Sequence, residues 1–134
     1  MYLGARCDYN HDKLALEPAP PAAARAFLAA FLRWRSEAGM DNALADHLAD
    51  LCTQAGLRDV AVSPQHEVVR RGEPDFGARA GIWADGAATR GHQMVADGAI
   101  DEASRAAAEA ELRAWAVSTA TAHTMYLLAV EGIV

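Results

Sequence analysis

The stretch Thr124-Met125-Tyr126-Leu127-Leu128-Ala129-Val130 constrains the fold more than any other part of the chain. It is a continuous apolar run ended by Glu131-Gly132, and its length suits a strand buried on both faces. Such a strand needs paired neighbours at its edges. The sequence offers one partner: Leu57, Val60 and Val62, with Val68-Val69 beyond Pro64, have a period near two that is broken or bulged at the proline. Two strands alone are marginal in water. The run is therefore expected to leave an apolar edge that pairs with a second copy of the chain or with a partner chain.

Most of the rest reads as helix. Glu17-Pro18-Ala19-Pro20-Pro21 is a stiff connector, because each proline fixes φ and disfavours helix at the residue before it. Pro21 suits a first helical position, and the segment to Ala38 places Phe27, Phe31 and Trp34 at i, i+4 and i+7 beside Leu28 and Leu32. Gly39 fits the left-handed residue that ends it. Asp41 is the expected N-cap of a second helix with Leu44, Leu48 and Leu51 on one face and Gly56 as terminator. After the loop Gly72-Glu73-Pro74-Asp75, glycines 81, 86 and 91 break a weak helical pattern into two short helices, the second near residues 89–96. Asp101 caps a longer alanine-rich helix over residues 102–120. The 134 residues suit a single domain. Within it, 1–20 form a loop and connector, 21–56 a helical pair, and 57–134 a strand, helices and a strand.

Roughly a quarter of the chain is alanine, and Phe, Trp and Tyr number three each. At about 25 cal/mol per Å², burial energy is expected from few side chains: Phe27, Phe31, Trp34, Leu44, Leu48, Leu51, Trp83, Ile100, Leu112, Trp115 and residues 126–130. This predicts a thin core. Twelve basic against eighteen acidic side chains give a net charge of −6, and the only adjacent basic pair is Arg70-Arg71. A phosphate backbone needs a clustered basic face, so neither nucleic acid nor an anionic membrane is an expected partner. No apolar run reaches the ~18 residues of a membrane span. Met1-Tyr2-Leu3-Gly4-Ala5-Arg6 lacks the layout of a signal peptide, so the expected location is cytoplasmic.

Cys7 and Cys52 show no zinc spacing and read as free thiols, Cys52 buried on its helix. His11, His47, His66, His92 and His123 have no HxxxH or HExxH spacing, so no metal is expected. Ser63-Pro64-Gln65-His66 lacks the flanking glycines of a nucleophile elbow, and no GxGxxG loop is present. Two clusters are denser in chemistry-bearing residues. One is Asp8-Tyr9-Asn10-His11-Asp12; the other runs from Trp34-Arg35 to Gly39-Met40-Asp41-Asn42. Each also has a plain structural account as a solvated loop, a cap and a turn.

These clusters, together with Phe31-Leu32-Arg33-Trp34-Arg35, Ala55-Gly56-Leu57-Arg58-Asp59-Val60, Gly98-Ala99-Ile100-Asp101 and the closing Tyr126 to Gly132, resemble the C-terminal half of a class I S-adenosylmethionine-dependent methyltransferase. The resemblance implies part of a Rossmann-like, seven-stranded sheet. Asp8 would lie just past the fifth strand, residues 21–55 would include a helical lid, 57–69 the sixth strand, and 124–132 the seventh, antiparallel between the fifth and sixth. The expected fold is thus α/β, a mostly helical remnant with a two-stranded antiparallel C-terminal sheet. A fifth strand is not expected, because Gly4-Ala5-Arg6-Cys7 leads directly into Asp8-Tyr9.

The resemblance further implies an acceptor pocket lined by Tyr9, Asn10 and His11 after the fifth strand and by Trp34, Arg35, Met40, Asp41 and Asn42 from the lid. His11 would serve as proton acceptor or orienter. The family's glycine-rich loop and ribose-holding acid have no counterpart here, so no cofactor-binding residues are expected and S-adenosylmethionine is not expected to bind the chain alone. The expectation is a truncated or split enzyme, not catalytic by itself, taking a small-molecule acceptor and completed by a partner chain or a second copy. The alternatives are a non-catalytic interaction module that dimerises through an exposed sheet edge, and a gene fragment without a function of its own.

Overall fold

A computed structural model describes the backbone of residues 2–9 and 11–134, and the side chains from His11 onward. In chain order the elements are β1 (Tyr2–Tyr9), a 3-10 turn (His11–Lys13), β2 (Ala15–Glu17), α1 (Ala22–Glu37), α2 (Leu44–Gln54), β3 (Arg58–Pro64), β4 (Glu67–Arg70), α3 (Phe76–Ala88), α4 (Arg90–Ala96), α5 (Glu102–Ala114), a π-helical turn (Trp115–Thr119), β5 (Ala122–Met125) and β6 (Leu127–Ile133). The fold is mixed α/β with small antiparallel sheets. The chain divides into two compact units, one formed by residues 1–14, 41–67 and 124–134, the other by 15–40 and 68–123.

The first unit is a three-stranded sheet in the order β1-β6-β3, with α2 packed on it. β6 is antiparallel to both neighbours, so β1 and β3 run parallel to each other. This corrects the expectation of a two-stranded sheet without a strand at the start. The first residues do alternate, Leu3, Ala5, Cys7 and Tyr9 against Gly4, Arg6 and Asp8, but the apolar set is too small to stand out beside the run at 124–130. β6 therefore has partners on both edges within the chain. The run is also not one strand. Tyr126 separates β5 from β6, and the two lie in different sheets.

The expected break at Pro64 is real: β3 ends there and β4 joins the other sheet. Register slips between Arg58 and Ala61, where Asp59 takes a positive φ of 51°, a conformation aspartate tolerates better than most residues. On α2 the buried face is Ala45 and Leu48, whereas Leu51 is exposed and Cys52 only half-buried, which corrects the Leu44/Leu48/Leu51 face and the buried thiol. The helix begins at Leu44 with Ala43 as N-cap, so Asp41 is not its cap. Its end is as expected. Gly56 at φ +96° lets its own N–H reach the Thr53 carbonyl and that of Leu57 reach Cys52, closing the orphan carbonyls of the last turn.

The second unit is helical, with α1, α3 and α4 against α5, and carries the sheet β2-β5-β4. α1 starts after Pro21 and ends in the same double bond through Gly39, at φ +80°. Asp101 caps α5 by accepting from the Ser104 N–H at 2.7 Å. The main core is Ala24, Phe27, Ala30, Ala84, Ala87, Met94, Ala108 and Leu112, with Phe31, Trp34, Trp83 and Ile100 at its margin. Five of those eight buried residues are alanines, so alanine here is the contact surface of packed helices rather than filler. A second cluster gathers Val69, Phe76, Ala80, Trp115, Ala116 and Ala120.

The proline connector is tied down. The Pro18 carbonyl accepts from Trp115 Nε1 at 2.7 Å, and the Glu17 carbonyl accepts from the Thr121 N–H at 2.7 Å. At the end of α5, the π-helical turn leaves carbonyls that Arg71 collects. Its Nε donates to Ala120 at 2.6 Å, Nη1 to Val117 at 3.1 Å and Nη2 to Ala116 at 3.3 Å. Among the described residues, no helix is long and apolar enough to cross a membrane.

Candidate functional site

Tyr9 pairs with Leu127 and Pro64 with Leu128, so β1 and β3 both end beside the start of β6. In open α/β sheets, ligands bind outside the carboxyl ends of parallel strands. The loops that leave those ends in the first unit carry its densest group of titratable side chains. His11, Asp12 and Lys13 follow β1 in the 3-10 turn; His66 follows β3; Tyr126 precedes β6; and Asp41, Asp46 and His47 come from the entry to α2 and its first turns.

Backbone contact joins two of these pieces, since the Asp12 N–H points to the Asn42 carbonyl at 3.4 Å. Side chains join the rest. Asp46 accepts from Lys13 Nζ through Oδ2 at 2.5 Å and from the Tyr126 hydroxyl through Oδ1 at 2.7 Å. Lys13 Nζ also lies over the Tyr126 ring, 4.5 Å from its centroid. The His66 ring stacks on Tyr126 with centroids 4.6 Å apart, and its Nδ1 accepts from the Leu127 N–H at 3.2 Å. A neutral His66 thus carries its proton on Nε2.

Beside them, Asp41 Oδ1 accepts from the Ala43 N–H and Oδ2 meets His47 Nδ1 at 2.5 Å. The hydrogen bond to Asp46 holds the Lys13 ammonium above its ordinary pKa, and the same carboxylate raises that of the Tyr126 hydroxyl. Asp41 raises His47, and the His47 bond together with the Ala43 N–H lowers Asp41.

The residues expected to line an acceptor pocket fall as follows. His11, Asp41 and Asn42 belong to the first unit, where the Asp12–Asn42 bond brings their two loops together. The side chain of Tyr9, and Asn10 altogether, lie outside the described residues. Trp34, Arg35 and Met40 belong to the second unit. There Trp34 Nε1 donates to Asp97 Oδ2 at 2.8 Å, Arg35 lies 5.7 Å from the Phe31 ring centroid, and Met40 is exposed at the end of α1.

Lys13, Asp46, His66 and Tyr126 were not anticipated. The partners are 33 residues apart for Lys13 and Asp46 and 80 apart for Tyr126 and Asp46, so no short motif announces them.

Among the described residues, no group of three or more His, Cys, Asp or Glu is placed to hold a metal ion. The β4–α3 connection, Arg71-Gly72-Glu73-Pro74-Asp75, sets two carboxylates and a proline, which has no N–H, where the carboxylate of an adenosyl cofactor would need N–H donors. Compared with protein-family models and with curated proteins, the chain matches none.

Proposed function

We propose that these residues form the acceptor side of a class I S-adenosylmethionine-dependent methyltransferase, with the cofactor held by polypeptide outside the 134 residues. One observation carries the reading: the last strand, β6, runs antiparallel between two mutually parallel strands, β1 and β3. The family resemblance of the sequence calls for that order. The reading takes β1 as the fifth strand, although β1 runs on through Asp8 to Tyr9 rather than ending before Asp8.

The part played by the chain is to hold a small-molecule acceptor at the carboxyl ends of β1 and β3. His11, leaving β1, takes up the proton the acceptor releases. Asp41 and Asn42 approach the same turn through the Asn42 carbonyl.

The test uses the tagged full chain purified from its source cells together with the polypeptides that accompany it, cross-linked by ultraviolet light to radiolabelled S-adenosylmethionine. Label is expected on an accompanying polypeptide and not on this chain, with methyl transfer lost in His11→Ala. Micromolar binding of S-adenosylmethionine by the chain alone in calorimetry, or no label on any accompanying polypeptide, refutes the reading.

A further inference from the structure

We propose that the Tyr126 ring and the Asp46 carboxylate form a binding site for a small organic ammonium, which Lys13 fills from within the chain until a ligand displaces it. The pair already holds an ammonium. Lys13 Nζ sits 2.5 Å from Asp46 Oδ2 and 4.5 Å from the Tyr126 centroid, satisfying a carboxylate and an aromatic face at once. A ligand ammonium needs the same two contacts.

The site is pre-shaped by bonds between its two walls and by a neighbouring ring. The Tyr126 hydroxyl is fixed by Asp46 Oδ1, and the ring is backed by His66, itself oriented by the Leu127 N–H. Its occupant can leave, because the Lys13 side chain is 46% exposed and Asp46 30% exposed. The surrounding charge favours a cation. Asp46 and Asp12 both act on Lys13, so two carboxylates stand by one ammonium.

The inference goes beyond the transferase reading, since cation binding is measured on the chain alone and stands or falls without methyl transfer. An intramolecular ammonium that fills the site about nine-tenths of the time weakens a ligand about tenfold.

The experiment titrates the full chain with propylammonium chloride against sodium chloride at matched ionic strength, following the His66 and Tyr126 ring resonances by NMR. Lys13→Ala and Lys13→Gln should each bind propylammonium about tenfold more tightly than the unaltered chain. Adding Asp46→Asn or Tyr126→Leu to Lys13→Ala should abolish the gain, and the amide spectrum reports whether each variant is folded. Equal affinity with and without Lys13 overturns the proposal, as does a gain that survives both Asp46→Asn and Tyr126→Leu.

Discussion

Substituting alanine for Gly91 probes the tightest contact in the helical unit. A Cβ there would stand 2.8 Å from Arg105 Cγ, 3.2 Å from its Cδ and 3.4 Å from the Phe27 ring. The arginine cannot swing aside. Its guanidinium is held by both Glu102 oxygens at 2.7 and 2.8 Å, by Glu109 at 2.7 Å and by the Ala87 carbonyl at 3.1 Å, and the residue is 6% exposed. Overpacking of this kind costs about 1–3 kcal/mol. Replacing a helical glycine returns up to about 1 kcal/mol. The net expectation for Gly91→Ala is a loss of about 1–2 kcal/mol. With a urea slope of about 1–3 kcal/mol per M, the midpoint should fall by about 0.3–2 M.

The deciding measurement is the same substitution in an Arg105→Ala background, followed by circular dichroism in urea. With the arginine stem gone, the helix preference is all that remains, so Gly91→Ala should become stabilising by up to about 1 kcal/mol. A Gly91→Ala effect of the same sign and size in both backgrounds refutes the steric argument.

Three other perturbations address different parts of the structure. Arg71→Met removes all three carbonyl contacts at the end of α5 and should cost about 1–3 kcal/mol in urea unfolding; Arg71→Lys should recover only part of it, because an ammonium lacks the fork, and full recovery would contradict the role assigned to the guanidinium. Trp115→Phe leaves the Pro18 carbonyl without its indole donor and should destabilise by about 1–3 kcal/mol, an expectation that an unchanged urea midpoint would defeat. In the Asp41–His47 pair, the raised histidine stabilises most below its ordinary pKa, and that contribution disappears as pH rises through the folded value. Asp41, being lowered, contributes above the ordinary carboxylate value and loses the contribution as pH falls through its own folded value. The His47 ring should therefore titrate at lower pH in Asp41→Asn than in the unaltered chain; an NMR titration giving equal midpoints would show the pair to be uncoupled.

Apart from the start of α2, where Ala43 rather than Asp41 is the N-cap, helix ends were legible in the sequence because their signals are local. Pro21 before α1, Gly39 and Gly56 past the ends of α1 and α2, and Asp101 before α5 each act within a turn of where they stand. Strand partnership was legible only in part. Hydrophobic pattern marked residues 124–130 as buried, yet pattern does not say which sheet a residue joins, and Tyr126 divides the run between two. β1 was missed because its alternation rests on Leu3, Ala5, Cys7 and Tyr9, and a strand that weak takes its stability from pairing with β6 rather than from its own residues. Of the candidate site, His11, Asp41 and Asn42 could be picked out beforehand as dense local polarity. Lys13, Asp46, His66 and Tyr126 meet only through the sheet, and sequence spacing carries no trace of that.

The placement of β6 between β1 and β3 also sets a timetable. Leu127 follows Tyr2 by 125 residues, the difference of their numbers. At about 5–20 residues per second, a ribosome has finished β1 and β3 well before it makes the strand that joins them, with a delay for β1 on the order of 6–25 s. Until then neither outer strand has its β6 partner, and the first unit depends on contacts of very high sequence separation, the kind that form slowly. The helical unit, whose residues 68–123 are all made before β6, can gather its own core while the sheet waits.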